Sequence, residues 1–182
     1  MDMLVRLYAL VPDECAVSGT PDPGIRVRRA MPYEKLPVAD WVRSSFGAGW
    51  AGELEAAFSR MPLSCFIATR DGSVVGFACY DATCRGFFGP LGVDRAMRGT
   101  GIGRSLLLSC LSAMRAEGYA YAIIGGVDPR SSAFYTESAG AVPIEGSDPG
   151  VYIDRLRSDL PGSGRSTPGG PAAGAGKSGG LD

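Results

Sequence analysis

The sequence predicts an α/β protein with a mixed, mostly antiparallel sheet, a central β-α-β crossover and helices on both faces. Three observations favour this class. Short apolar runs of strand length occur together with segments whose apolar residues recur at helix spacing. The pair Asp71-Gly72 separates two strand-like runs, which is a strong hairpin signal. A strand–helix–strand succession follows, and it implies one parallel crossover within the sheet.

The N-terminal half predicts two strands and two helices. Residues 3–11 are apolar and could form a strand, residues 12–24 are rich in turn formers, and residues 25–29 alternate as a half-buried strand does. Residues 32–46 and 50–59 show helix spacing, although Pro37 should disturb the first turn of the first helix. The expected inner faces of these helices contain Leu36, Val38, Trp41, Val42 and Phe46, and then Leu54, Ala57 and Phe58.

The C-terminal half contains the hairpin and the crossover. The expected strands are 63–69, 74–80, 87–93 and 119–127, with a final pair at 141–144 and 151–156. A long helix is expected from Ile102 to a stop at Gly118, and a short one over 131–138. Inside strand 87–93, Gly89-Pro90 removes a backbone donor, so the strand should bulge or lie open at that point.

Length and composition indicate one folded domain with terminal segments. We expect an N-terminal strand and loop over 1–24, a folded domain over 25–157 and a flexible tail over 158–182. The tail is rich in Gly, Pro and Ser and has no aromatic residue. The 45% of hydrophobic residues is sufficient for a core.

The charge balance and the histidine and cysteine content argue against nucleic-acid binding and metal binding. With 18 basic and 19 acidic residues, the chain has no basic footprint for nucleic acid. It contains no histidine, which excludes histidine-based catalytic triads and metal sites built on histidine. Its five cysteines form no C-x-x-C pair, so we expect no metal. We find neither a signal peptide nor a run of membrane-spanning length, and expect a cytoplasmic protein without a membrane partner.

A glycine cluster at residues 98–103 leads into the long helix. A Walker A loop would need Gly-Lys-Ser/Thr, but Gly103 is followed by Arg104. The dinucleotide fingerprint G-x-G-x-x-G also fails, because Arg104 or Leu106 stands where its third glycine belongs. Glycines at a helix start let an anion approach the unpaired backbone N–H groups. The remaining alternatives are a different phosphate motif and a plain turn without a ligand.

The pattern that fits is Arg98-x-x-Gly101-x-Gly103. It resembles the pyrophosphate-binding signature of the GCN5-related N-acetyltransferases (GNAT), and the element order over roughly residues 25–157 looks like the fold of that family. In that family the sheet splays beside the motif strand to admit the cofactor arm. The resemblance therefore implies acetyl-CoA as acyl donor co-substrate, without a metal. The residues implied to bind it are Leu91, Gly92, Val93, Arg98, Gly99, Thr100, Gly101, Ile102, Gly103, Arg104, Asp128 and Phe134.

The same resemblance implies the catalytic residues. Tyr135 stands where the family places a tyrosine that often protonates the departing thiolate, whereas Phe134 beside it is favoured as packing. The motif strand offers no carboxylate to deprotonate the amine. Asp81 is our first choice for this base, followed by Glu53 and Glu55, and a water relay is the alternative.

We therefore expect an acetyl-CoA-dependent N-acetyltransferase that acts on a primary amine by direct attack in a ternary complex. Cys84 has no histidine to activate it, so a covalent route is not expected. The alternative is a non-catalytic CoA-binding or interaction module on the same fold. A third hypothesis is a partner domain assembled between chains through strand 3–11. The expected partner is a small-molecule or peptide amine, and the sequence leaves a homodimer open.

Overall fold

The computed structural model describes residues 1–10 and 22–153. Most of the predicted loop at 12–24, and the whole tail over 158–182, lie outside the described residues. The strands are β1 (Met3–Arg6), β2 (Ile25–Arg29), β3 (Cys65–Arg70), β4 (Ser73–Tyr80), β5 (Phe87–Val93), β6 (Tyr121–Ile124) and β7 (Val142–Pro143). The α-helices are α1 (Lys35–Phe46), α2 (Ala48–Ala57), α3 (Ile102–Ala116) and α4 (Pro129–Ala139).

One seven-stranded sheet organises the molecule, with the strand order β2-β3-β4-β5-β6-β1-β7. Every strand pair among the described residues is antiparallel except β5–β6, which is parallel and joined through α3. The predicted mixed, mostly antiparallel sheet with a central crossover is therefore confirmed. No helix in residues 1–10 or 22–153 combines the length and apolarity that a membrane span needs.

Helices cover both faces of the sheet, as predicted. Successive residues of β4 point to opposite sides: Phe77 packs with the buried faces of α1 and α2, and Ala78 packs with α3. The buried face of α3 follows the predicted spacing and consists of Ile102, Leu106, Leu107, Leu108, Cys110, Leu111 and Met114. The core therefore lies in two layers, one on each side of the sheet.

The β3–β4 hairpin has the turn that its sequence specifies. Asp71 and Gly72 form a two-residue loop, and both have positive φ, 49° and 77°. This backbone suits the right-handed twist of the flanking strands, and Asp-Gly adopts it readily. The hairpin predicted from Asp-Gly is confirmed.

One expectation for α1 is wrong. Leu36, expected on the inner face, is 72% exposed, because α1 buries Val38, Ala39 and Val42 instead. The start of the expected helix differs from an α-helix, since residues Pro32–Glu34 form a 3-10 helix. The α-helix begins at Lys35, so Pro37 lies in its first turn, where a backbone N–H has no acceptor within the helix.

The N-terminal strand lies inside the sheet. β1 pairs antiparallel with β6 on one side and with β7 on the other, and Met3, Val5 and Leu7 are fully buried. The strand is shorter than predicted, because Leu7–Ala9 form a 3-10 helix. An interior strand does not present the free edge that assembly between chains through this segment would use.

Of the predicted final strand pair, the first member is present as β7, although it pairs with β1. The described part of the second member, residues 151–153, is not a strand but lies in and after the 3-10 helix Gly150–Tyr152, and residues 154–156 lie outside the described residues. β1 already occupies the place beside β6 and β7. The N-terminus contacts the segments that follow β6 and β7: the Asp2 carboxylate accepts a hydrogen bond from the Gly126 amide at 2.8 Å, and the Asp2 amide donates to the Ser147 hydroxyl at 2.7 Å.

Candidate active site

The sheet opens between β5 and β6. These strands pair only at Phe87–Ile123 and Phe88–Ile124. Beyond this point the register between β5 and β4 shifts. Phe88 lies opposite Tyr80 and Leu91 lies opposite Ala78, so β5 contains one more residue than β4 between these two pairs. The predicted bulge at Gly89-Pro90 is therefore confirmed, and the splay of the strands that the family resemblance implied is present.

Two clefts of about 680 Å³ each adjoin at this opening. The glycine-loop cleft lies over the start of α3 and is lined by Phe46, Trp50, Leu91, Gly92, Val93, Met97, Arg98, Gly99, Gly101, Ile102, Gly103, Arg104, Arg130, Ser131, Phe134, Tyr135 and Ser138. The strand-gap cleft lies between the splayed strands and is lined by Gly49, Trp50, Glu53, Thr83, Phe88, Gly89, Pro90, Leu91, Ile124, Gly125, Gly126, Val127, Asp128, Ser131, Tyr135 and Tyr152. Trp50, Leu91, Ser131 and Tyr135 line both.

The glycine-loop cleft contains most of the residues predicted to bind acetyl-CoA: Leu91, Gly92, Val93, Arg98, Gly99, Gly101, Ile102, Gly103, Arg104 and Phe134. Two predicted residues lie elsewhere. The Thr100 hydroxyl donates to the Met97 carbonyl at 2.7 Å, and Thr100 does not line the cleft. Asp128 lines the strand-gap cleft, where its carboxylate caps the start of α4 by accepting from the Arg130 amide at 2.9 Å.

The start of α3 has the backbone N–H groups that suit an anion. Gly101 precedes the helix with φ 85°, a left-handed conformation that favours glycine, and it makes no side-chain cap to the first turn. A Cβ atom at Gly103 would lie 3.6 Å from the Phe134 ring and 3.7 Å from Val93, which is ordinary van der Waals distance. Packing within the protein therefore does not require glycine at 103, whereas close approach of a ligand to the helix amides would.

Arginines make the glycine-loop cleft positive. The Arg98 Nε donates to the Val93 carbonyl at 3.4 Å, and Arg98 forms none of the ion pairs found within residues 1–10 and 22–153. Arg104 and Arg130 also line the cleft, whereas Arg95 does not. The positive helix terminus and these guanidinium groups together suit a phosphorylated ligand.

Tyr135 lies at the junction of the two clefts. Its ring packs edge-on against Phe134 and Phe88, with ring centres 5.0 and 6.3 Å apart. Burial raises the pKa of Tyr135 to about 12, so the phenol is neutral at physiological pH. Within the described part of the chain its hydroxyl has no hydrogen-bond partner, which leaves it available to a ligand.

A comparison with models of protein families identifies the family of the chain. The model of the acetyltransferase (GNAT) family matches residues 33–141, which include α1 to α4, the glycine loop and Tyr135. The chain is a member of the GNAT acetyltransferase family. The recognition from the sequence motif is thereby confirmed. No curated protein sequence matches the chain significantly.

Solved GNAT structures share the fold at low sequence identity. One is the glucosamine N-acetyltransferase region of a fungal multi-domain GH3 β-N-acetylglucosaminidase, with a TM-score of 0.60 and 15% identity over 76% of this chain and 19% of the other. Another is a GCN5-related N-acetyltransferase from Sphaerobacter thermophilus, with a TM-score of 0.52 and 20% identity over 78% and 47%. The chain thus spans less than half the length of each of these relatives.

Asp81 does not belong to the clefts of this GNAT domain. Its side chain is fully buried, accepts hydrogen bonds from the Gly86 amide at 2.6 Å and the Tyr119 hydroxyl at 2.7 Å, and pairs with Arg60 at 3.0 Å. These partners hold the turn between β4 and β5. The geometry therefore does not support our first choice of base, because the carboxylate is already engaged away from both clefts.

Glu53 is the carboxylate that α2 directs into the strand-gap cleft. It accepts a hydrogen bond from the Thr83 hydroxyl, and it forms no ion pair among the described residues. Glu55, two positions further along the helix, instead faces Lys35 and Arg43 at 3.6 Å each. Helix geometry separates these two candidates, because residues two apart do not share a face.

Sequence reasoning missed several lining residues of the GNAT site. Thr83, Gly125, Gly126 and Tyr152 line the strand-gap cleft but belong to no motif. Consecutive glycines after a strand were the one available signal, since they permit close approach of another group. A Cβ atom at Gly125 would lie 2.8 Å from the Tyr152 hydroxyl oxygen and 2.9 Å from the Phe87 ring.

Proposed function

We propose that the protein is an acetyl-CoA-dependent N-acetyltransferase that acts on a primary amine by direct attack in a ternary complex. The observation that carries this proposal is the position of Tyr135, where a positive cleft with an uncapped helix start meets a second cleft that contains a carboxylate. A reaction between two bound substrates needs two such sites with a proton donor between them. Membership of the GNAT family supports the same reaction.

The residues of the glycine-loop cleft fit acetyl-CoA. The backbone amides at the start of α3 and the Arg98 guanidinium would hold the pyrophosphate. Gly103 keeps that surface free of a side chain, although packing within the protein would tolerate one. When bound, acetyl-CoA supplies the thioester whose acetyl group is transferred. The splayed edge of β5 around Leu91 would provide a backbone N–H toward the thioester carbonyl.

In the strand-gap cleft, Glu53 would accept a proton from the acceptor ammonium, directly or through water, and produce the nucleophilic amine. As the amine nitrogen forms its bond to the acetyl carbon, the bond from that carbon to sulfur breaks. Tyr135 would then donate its phenolic proton to the departing thiolate and regain a proton from the attacking nitrogen, directly or through water, so that a neutral amide and the CoA thiol result. The raised pKa of Tyr135 keeps that proton in place beforehand.

The positions of the cysteines support direct attack. Of the cysteines in the described residues, Cys65, Cys79 and Cys110 are buried, and Cys84 lines neither cleft. Burial raises the pKa of Cys79 and Cys110 well above the ordinary value, so both remain protonated thiols. Among the described residues, no cysteine is thus offered to either cleft to carry the acetyl group.

The test is release of the CoA thiol from acetyl-CoA in the presence of primary amines. We expect Tyr135→Phe to lower kcat by about 100-fold with little change in the KM for acetyl-CoA, because general-acid catalysis contributes about 10²–10⁴-fold. The matched control is Tyr33→Phe, since Tyr33 is 78% exposed and lines neither cleft. Binding of acetyl-CoA without thiol release from any amine would favour the non-catalytic module instead.

A further inference from the structure

The strand-gap cleft has an unusual charge composition for a site that receives a metabolite. None of its lining residues in the described part of the chain is lysine or arginine. Its two carboxylates differ in their partners. Asp128 holds the Arg130 guanidinium at 3.2 Å through both oxygens, whereas among the described residues Glu53 is hydrogen-bonded only to the Thr83 hydroxyl. Glu53 is therefore the negative group available to an ammonium. No described lining residue is a cation, and the Arg130 guanidinium beside the cleft is already paired with Asp128.

Aromatic side chains form the walls of the same cleft. Trp50 on α2 and Tyr135 on α4 line it at the junction with the glycine-loop cleft. Tyr152 lies against the glycines that follow β6: a Cβ atom at Gly126 would be 3.0 Å from its ring, and one at Gly125 would be 2.8 Å from its hydroxyl oxygen. Aromatic faces bind apolar groups and cations, and they offer little to a carboxylate.

The segment that carries Tyr152 lies outside the family match, although its side chain packs on glycines of the matched region. The family match ends at residue 141, before the segment that carries Tyr152. That segment is tied to the N-terminus, because the Asp2 amide donates to Ser147 and the Asp2 carboxylate accepts from the Gly126 amide. A Cβ atom at Gly150 would lie 3.0 Å from the Asp2 carboxylate. This wall therefore lies outside the residues that the family model matches.

We propose that the acceptor is a primary amine with an apolar body and no carboxylate or phosphate of its own, and that Tyr152 is a specificity-determining residue for it. The ammonium is received by Glu53, and the body lies between Trp50 and Tyr152. An acceptor with an anionic group loses the water around that charge and gains no cationic partner in the cleft. This inference rests on the proposed transfer to a primary amine.

Three probes isolate the charge: 2-phenylethylamine, L-phenylalaninamide and L-phenylalanine. The last two have nearly the same size and differ in the carboxylate. We expect kcat/KM for each of the first two to exceed that for L-phenylalanine by at least about tenfold, and the dissociation constants from tryptophan fluorescence to follow the same order. Equal values, a preference for L-phenylalanine, or no binding of any of the three would overturn the proposal.

The role of Tyr152 is tested with Tyr152→Ala and Tyr152→Phe. We expect Tyr152→Ala to raise the KM for 2-phenylethylamine about tenfold and leave the KM for acetyl-CoA unchanged, with Tyr152→Phe close to the wild type and Tyr33→Ala as control. An unchanged KM for 2-phenylethylamine in Tyr152→Ala would remove Tyr152 from the account. Transfer to other amines, with none to these probes, would overturn this inference and leave the proposed function standing. Failure to bind acetyl-CoA would overturn the proposed function.

Discussion

At the residue scale, two glycines of the glycine-loop cleft serve different purposes. A Cβ atom at Gly92 would lie 2.7 Å from the Phe46 ring and 2.8 Å from the Phe77 ring, closer than side chains tolerate. At Gly103 the same atom would meet Phe134 at 3.6 Å, an ordinary contact. Glycine at 92 is thus explained by packing inside the protein, whereas glycine at 103 is explained by access to the helix start.

The packing at Gly92 leads to a stability prediction. Gly92→Ala should lower the free energy of unfolding by about 1–3 kcal/mol, because the added methyl group overpacks the aromatic cluster. The matched control is Gly52→Ala, where nothing lies within 4 Å of the added atom and the helix position favours alanine by about 0.5–1 kcal/mol. Denaturant unfolding measures both, and a Gly92→Ala protein as stable as the wild type would contradict this packing.

The pKa of Tyr135 predicts its behaviour at alkaline pH. The folded-state pKa of about 12 lies above the ordinary value of 10, so the phenol stays protonated up to about pH 11. The contribution to folding is fully present below pH 10 and is lost as the pH rises toward 12. In the difference between the ultraviolet titrations of wild type and Tyr135→Phe, the tyrosinate signal should have its midpoint near 12. A midpoint near 10 would show that the phenol is solvated.

Single residues also mark the limit of sequence reasoning about the site. Arg98, Gly101 and Gly103 were found because their spacing is local and lies before a helix with strong periodicity. Asp81 was chosen because it follows a strand, but the partners that engage it, Arg60 and Tyr119, are distant in sequence. Contacts of this kind depend on the folded arrangement and leave no pattern in a single sequence.

At the element scale, the hairpin and α3 were predictable, and the placement of β1 was not. Asp71-Gly72 specifies its own turn, and the apolar spacing of α3 specifies its buried face. The apolar run at the N-terminus indicates a strand, but its partners β6 and β7 lie more than 100 residues away. The described part of the predicted final strand at 151–156 lies in and after the 3-10 helix Gly150–Tyr152, and the sequence contains no local signal for this difference.

The interior position of β1 predicts that its apolar side chains stabilise the fold. Met3 is fully buried, so Met3→Ala should cost about 2–5 kcal/mol of unfolding free energy. Met61 is 85% exposed, and Met61→Ala should change stability by less than about 0.5 kcal/mol. Thermal or denaturant unfolding distinguishes the two variants. Equal stability of Met3→Ala and Met61→Ala would contradict the interior placement of β1.

At the scale of the whole molecule, two chemical environments meet at Tyr135, beside the opening of the sheet. The glycine-loop cleft is lined by Arg98, Arg104 and Arg130, and the strand-gap cleft is lined by Glu53 and aromatic walls. This division suits an anionic donor on one side and an ammonium on the other. A transfer reaction between the two then takes place where the clefts join.

The central claim is that acetyl-CoA binds at the glycine loop, and calorimetric titration of acetyl-CoA into four proteins tests it most directly. These are the wild type, Arg98→Ala, Gly103→Val and the control Arg95→Ala, whose arginine neighbours the loop but does not line the cleft. We predict binding to the wild type and Arg95→Ala with similar affinity, at least about tenfold weaker binding to Arg98→Ala, and none measurable to Gly103→Val. Absence of binding to a folded wild type, or equal binding to all four, would contradict the account.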